Sequence, residues 1–99
     1  MAYKIVRSKK FLKNVLAIAG YIEKEWGLKA AINFQSILDE KIASLSFHPK
    51  IGATTSKGKN IRKLTITKHN KIYYRIRGKT ITILILFESK QNPNRNKYE

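Results

Sequence analysis

Residues Ile61–Phe87 read IRKLTITKHNKIYYRIRGKTITILILF. Apolar residues recur here at every second position, which is the period of a half-buried strand. Ile61–Thr67 places Leu64 and Ile66 on one face and Lys63, Thr65 and Thr67 on the other. Lys68-His69-Asn70 has turn character. Lys71–Arg77 turns Ile72, Tyr74 and Ile76 one way and Lys71, Tyr73, Arg75 and Arg77 the other. Gly78-Lys79 is a tight turn. Thr80–Phe87 is nearly all apolar, which suits the central strand of a sheet. Three consecutive strands with short links make an antiparallel sheet with one apolar face and one cationic face.

Upstream the period changes. Lys50–Asn60 holds Gly52, Ser56, Gly58 and two Thr, and reads as a loop. Before it, Ala31, Phe34, Leu38, Ile42 and Leu45 recur at three- and four-residue intervals, which predicts a helix over about Leu28–Phe47, stopped by Pro49. Phe11, Val15, Ile18, Ile22 and Trp26 predict another helix, widened by Leu12, Leu16 and Ala19. Ser8 can cap it and Gly27 ends it. The two form an antiparallel hairpin, with Trp26 packed inside it. Ala2–Arg7 alternates as a short strand. The expected fold is α+β, in β-α-α-β-β-β order: an antiparallel sheet of the N-terminal strand and three C-terminal strands, covered on one face by the hairpin and open on the other.

The chain has 99 residues, the size of one domain, of which 42% are hydrophobic, and a formal charge of +15. Residues 57–99 carry twelve Lys and Arg against two acids, and residues 1–56 nine against four. The sheet half is therefore the cationic half. Its cations interleave with Tyr73, Tyr74 and Tyr98, a mixture that suits phosphates and stacked bases, or else a solvated face. There is no Cys, which removes disulfides and thiolate chemistry. The longest apolar run, Ile81–Phe87, is too short to span a membrane, and the N-terminal residues carry no signal-like core. A cytoplasmic protein without a membrane partner is expected.

The inventory narrows the chemistry. Metal-dependent phosphodiester cleavage needs converging carboxylates, and the cationic half has only Glu88 and Glu99, so no metal or cofactor is expected. A two-histidine acid–base pair would require His48 and His69 to meet. What remains is charge stabilisation by Lys and Arg, with a lysine of lowered pKa or a tyrosine moving protons.

Several patterns resemble the RelE/ParE toxins of type II toxin–antitoxin modules. Tyr21-Ile22-Glu23 through Trp26-Gly27 to Ala31 and Phe34 is similar to the ParE helical hairpin. Leu45, Pro49 and Gly52 fit an L-x-x-x-P-x-x-G link. Arg62-Lys63-Leu64 and Tyr74-Arg75-Ile76 resemble the R-x-L and Y-R-I/V strands. Lys90-Gln91-Asn92-Pro93 resembles the family's R-Q-N-P ending. The resemblance implies a toxin neutralised by an antitoxin from the adjacent gene. RelE-like members cut mRNA on the ribosome without metal; ParE-like members inhibit DNA gyrase. The long hairpin leans towards ParE and the charge towards RNA, which places ribosome-dependent mRNA cleavage slightly ahead. On that reading Lys63, Lys71, Lys90 and Tyr98 are the catalytic candidates, with Lys71 and Lys90 standing where arginines are usual. Arg62, Tyr73, Arg75, Arg77 and Arg95 are the nucleic-acid-binding candidates. Arg62 shares parity with Leu64 and can instead pair with a helix carboxylate such as Glu40; Lys63 and Lys71 can be ordinary strand lysines, and Lys90 and Arg95 plain tail charges.

Overall fold

The computed structural model describes residues 2–89, the side chains of 58 and 59 excepted. The order is β1 (Lys4–Arg7), α1 (Lys9–Trp26), α2 (Leu28–Leu45), β2 (Ala53–Thr55), β3 (Gly58–Thr67), β4 (Asn70–Arg77) and β5 (Thr80–Glu88). This is the expected α+β arrangement, with one strand more. β2 forms inside the expected loop and β3 starts three residues before Ile61, because the chain after α2 turns back and pairs Ala53 with Lys63 and Thr54 with Arg62. The five strands lie in the order β1-β5-β4-β3-β2. Strands β2 to β5 are antiparallel neighbours, while β1 runs parallel to β5, with Ile5 beside Ile81. A parallel neighbour requires a long crossover, and the whole helical hairpin lies between β1 and the remaining strands. β5 is thus an interior strand, and β4 takes the middle of the sheet.

The helices form where the apolar period places them. Ser8 caps α1: its hydroxyl accepts the Phe11 N–H at 3.0 Å and donates to the Leu84 carbonyl at 2.7 Å. α2 buries Ala31, Phe34, Leu38, Ile42 and Leu45, the five positions of its stripe. Gly27 alone joins the helices, at φ 96°, a left-handed backbone that a side chain would strain. α1 departs from expectation. It meets the sheet through Phe11, Val15, Ile18 and Ile22. Leu12 and Leu16 each lie one residue on, about 100° round the helix, and Leu16 is 75% exposed.

β5 explains its own composition. A bulge between Tyr73 and Tyr74 pairs Tyr73 with Ile85 and Tyr74 with Ile83, leaving Leu84 as the extra residue. Ile81, Ile83 and Leu86 join the main core under the helices, and Ile85 and Phe87 turn to the opposite face. Backbone groups at the bulge are taken up by α1: Ser8 bonds the Leu84 carbonyl, and Asn14 Oδ1 accepts the Leu86 N–H at 3.1 Å. The second face is therefore not simply open. Tyr73, Ile85 and Phe87, with Ile61 beside them, form a second apolar cluster between the cations.

Candidate functional site: the cationic sheet face and the helical hairpin

The site is built around the link between α2 and β3. Tyr74 is fully buried in the main core. Its hydroxyl donates to the Pro49 carbonyl at 2.7 Å and accepts the Gly52 N–H at 3.0 Å. Arg62 does not pair with Glu40. Its Nη1 donates to the Gly52 carbonyl at 2.7 Å and the Lys50 carbonyl at 3.3 Å. Tyr74 and Arg62 thus hold the 49–52 link from two sides, and the guanidinium is committed to that link.

Burial pushes the Tyr74 hydroxyl above its ordinary pKa of 10.0, against the opposing pull of the Gly52 hydrogen bond and the Arg62 charge. The folded state holds this phenol neutral while an unfolded tyrosine ionises, so the stabilisation is complete below pH 10 and is lost as pH rises from there towards the raised value. Tyr74→Phe strands the buried Gly52 N–H and should cost about 1–3 kcal/mol at pH 7. In urea unfolding that gap between parent and variant should be constant at neutral pH and shrink by pH 11. A gap that widens with pH would contradict the assignment.

The link sets the edge beside Lys63. Lys63 and Lys71 both stand on the face away from the helices. Lys63 pairs with Tyr73 across β3 and β4, and Lys71 pairs with Thr65, so the two lysines are diagonal neighbours. They line one open groove of about 550 Å³ together with Thr65 and with Lys41 of α2. The Lys71 ammonium sits 5.6 Å from the Tyr73 ring centre and 5.7 Å from that of Phe87, two cation–π contacts that fix its place.

The other candidates are dispersed. Tyr73 is 0% exposed and packs edge-on to Phe87 at 6.4 Å, so its ring presents no stacking surface. Arg75 is half-buried, with Nε unpartnered by hydrogen bond, and Arg77 is exposed at the far end of β4. Lys90, Arg95 and Tyr98 lie outside the described residues. His48 and His69 do not meet. His48 follows the C-terminal end of α2, whereas His69 lines a groove with Trp26 near the other end. The 18-residue helix between them is about 27 Å long. Among the described residues no three His, Asp or Glu side chains gather as a metal site, and no helix is long and apolar enough to cross a membrane.

Periodicity missed the second surface. The hairpin leaves Leu12, Leu16, Tyr21, Trp26, Leu28 and Ile32 exposed, Trp26 by 63%. Trp26 is not packed inside the hairpin; it stands at the tip, edge-on to Tyr21 at 5.9 Å. The groove beside it, about 220 Å³, runs from Ile18, Ile22 and Phe34 to His69 and Glu88. The spacing of Leu12 and Leu16, one step off the core stripe, was the only sign of this in the sequence.

Known proteins match this arrangement. The family model of the ParE toxin of type II toxin–antitoxin systems, parDE, fits residues 5–93. The chain is a member of the ParE toxin family. Among solved structures, the chromosomal ParDE toxin–antitoxin system from P. aeruginosa matches with TM-score 0.76 and 21% identity, over 90% of this chain and 98% of that one. A copper-bound mutant toxin from Helicobacter pylori matches with TM-score 0.62 and 17% identity, over 87% and 93%. At these identities the likeness concerns the fold. No curated protein matches the chain. The RelE/ParE resemblance is thereby resolved to the ParE side at the level of family, and the chain is a type II toxin.

Proposed function

We propose that this ParE-family toxin inhibits DNA gyrase by protein contact through its helical hairpin and is neutralised by an antitoxin from the adjacent gene. The hairpin surface carries the reading. Six large apolar side chains stand exposed on the two helices, and Tyr21 and Trp26 stand together at the tip beside an apolar groove, exposed surface of the kind that marks a protein-binding site. Trp26 and Tyr21 are the residue types that dominate binding energy at such surfaces. The catalytic reading has less support: Tyr73, one of its nucleic-acid candidates, is buried and not available for stacking. The family match and the hairpin therefore reverse the order given by sequence alone. Both targets lie in the cytoplasm, and that is where we place the chain.

Gyrase supercoiling in the presence of purified toxin decides the matter, together with primer extension on transcripts after induction. Lost supercoiling with intact transcripts supports gyrase inhibition. The second reading, ribosome-dependent mRNA cleavage, is favoured by Lys63 and Lys71 lining one groove. It predicts cuts within codons and undisturbed supercoiling.

For the antitoxin, the excess of positive charge asks for an acidic segment that folds as it binds, with apolar residues for the hairpin groove. Co-expression with the neighbouring gene should restore growth and yield a co-purifying complex whose affinity weakens partly with salt. Failure of the two purified proteins to associate even at low salt would rule that neighbour out.

A further inference from the structure

The solvent face of α1 carries a second cationic surface, whose lysines neither reading uses. α1 packs on the sheet through Phe11, Val15, Ile18 and Ile22, spaced four, three and four residues apart. Lys9, Lys13, Leu16 and Gly20 repeat that spacing two residues earlier, so they lie about 200° round the helix, opposite the core stripe. Such a row ordinarily holds charged or polar side chains. Here its middle is Leu16, 75% exposed, with Leu12 one turn before it, 47% exposed. Ala17 and Gly20, beside and one turn after Leu16, are small and exposed, so neither stands above the leucine. Lys9, Lys10 and Lys13 surround the two leucines on their N-terminal side. All three lysines are exposed, and none pairs with a described carboxylate.

This charge is not offset locally. Residues 1–22 hold five Lys and Arg and no Asp or Glu; the first acid is Glu23. Lys9 and Lys10 open α1, where the helix dipole disfavours cations, and no acid stands in its first turn. The arrangement costs the isolated fold stability, and an anionic surface would offset that cost. Nucleic acid offers phosphates but nothing apolar for Leu12 and Leu16, and between Lys9 and Gly20 there is no exposed aromatic to stack on a base. Protein interfaces favour arginine and aromatic anchors over lysine, and every cation on this face is a lysine. At a bilayer of anionic lipid, lysines stay hydrated among the headgroups while leucines reach the acyl boundary. A convex helix face suits such a flat, deformable surface.

We propose that the N-terminal half of α1, through Lys9, Lys10, Leu12, Lys13 and Leu16, is a peripheral docking surface for an anionic lipid bilayer. A surface contact needs no spanning segment, so the shortness of the Ile81–Phe87 run does not bear on it. Trp26 lies ten residues beyond Leu16, about 15 Å along the helix, so the hairpin tip stays clear of the lipid. Leu16 is common to this surface and the gyrase surface; the lysines and Trp26 separate the two. The proposal goes beyond gyrase contact and does not depend on it.

The test is co-sedimentation of antitoxin-free toxin with vesicles of phosphatidylcholine, alone or with one quarter phosphatidylglycerol. The parent should bind the anionic vesicles and leave the neutral ones. Lys9→Ala and Lys13→Ala should each weaken binding about fivefold, the value of one lysine at such a surface. Leu16→Ser should weaken it about tenfold, a deficit that persists as salt rises. Lys57→Ala and Lys68→Ala together, in turns of the sheet, remove as much charge as the two α1 variants combined. They should cost less than about twofold, because the attraction falls off within a Debye length. Trp26 is the chain's single tryptophan, and its emission should not shift when vesicles are added. Melting curves keep folding apart from binding. Equal losses in the sheet-turn controls would reduce the effect to diffuse charge and overturn the proposal. So would an unaffected Leu16→Ser, which would leave a purely electrostatic contact of the kind an acidic protein makes. A blue shift of Trp26 would put the tip in the lipid instead, and absence of binding to anionic vesicles at low salt overturns the proposal outright. Trp26→Ala should bind vesicles as the parent does, so a failed gyrase reading and a failed lipid surface give different results on the same samples.

Discussion

Gly52→Ala should unfold this protein more readily than any surface change in the sheet. A Cβ at position 52 would lie 2.6 Å from the backbone oxygen of Lys63 and 2.6 Å from the Tyr74 hydroxyl. Neither neighbour can yield cheaply. The Lys63 oxygen belongs to β3, and the hydroxyl is held by Pro49 and Gly52 itself. The methyl group must therefore push the 49–52 link outward, which breaks the Tyr74 bonds and draws Arg62 off the Lys50 and Gly52 carbonyls. Overpacking alone costs about 1–3 kcal/mol, and the stranded polar groups add to it. We expect a loss of about 3 kcal/mol, equivalent to a fall in Tm of roughly 12–24 °C for a domain of this size. Gly20→Ala is the control. Nothing lies within 4 Å of a Cβ there, and in mid-helix the change should stabilise slightly. Thermal unfolding of the two variants beside the parent reads the difference; equal Tm values would show that the link is not held as described.

Trp26→Ala should abolish most of the toxicity while leaving the fold intact. Trp26 is 63% exposed and touches Tyr21 at the hairpin tip, outside both apolar clusters. Its removal should barely move the melting temperature. If the hairpin grips gyrase, an aromatic anchor of this kind is worth at least about 2 kcal/mol, or roughly thirtyfold in the toxin concentration that halves supercoiling. Leu16→Ala should act in the same direction with a smaller effect. Lys63→Ala and Lys71→Ala should leave gyrase inhibition within a few-fold. The cleavage reading makes the opposite assignment. Deleting a cation that stabilises a developing phosphorane costs about 2.7–4 kcal/mol of barrier, or 10²–10³ in rate, so the lysine variants would be harmless and Trp26→Ala would remain toxic. Growth after induction separates the two outcomes. Lys71→Arg adds a check: it keeps the charge and the ring contacts but widens the head group, so only a site that grips phosphate should respond to it.

Most of the fold could be read along the chain. Strand and helix periods arise within single elements: the five buried residues of α2 are its predicted stripe, and β4 alternates as expected between Ile72, Tyr74 and Ile76 on one side and the cations on the other. Ser8 and Gly27 act locally too, as cap and junction, and the P-x-x-G spacing of Pro49 and Gly52 brings both ends of the link to one tyrosine hydroxyl. The candidate site was legible only in part. Parity correctly put Lys63 and Lys71 on the face away from the helices, since both signs are internal to their strands.

What sequence could not decide were relations between elements distant along the chain. The parallel β1–β5 pair depends on where the hairpin delivers the strands. The Leu84 bulge sends Ile85 and Phe87 to the cationic face, and only that shift buries Tyr73 and places Lys71 over two rings. Arg62 finds carbonyls rather than Glu40 because the 49–52 link folds back across β3. Leu12, Leu16 and Trp26 look like core residues in a one-dimensional pattern, yet the sheet covers only one narrow stripe of α1, so they face outward. The sequence by itself determined both helices, the N-terminal strand, the three C-terminal strands and the sign of the charge, because periodicity, capping and composition act over a few residues, and its local motifs carried the resemblance to the family. The tertiary structure alone decided which apolar and cationic side chains were consumed by the core and which were left for a partner, because burial is set by what packs against a face and not by the residue that occupies it.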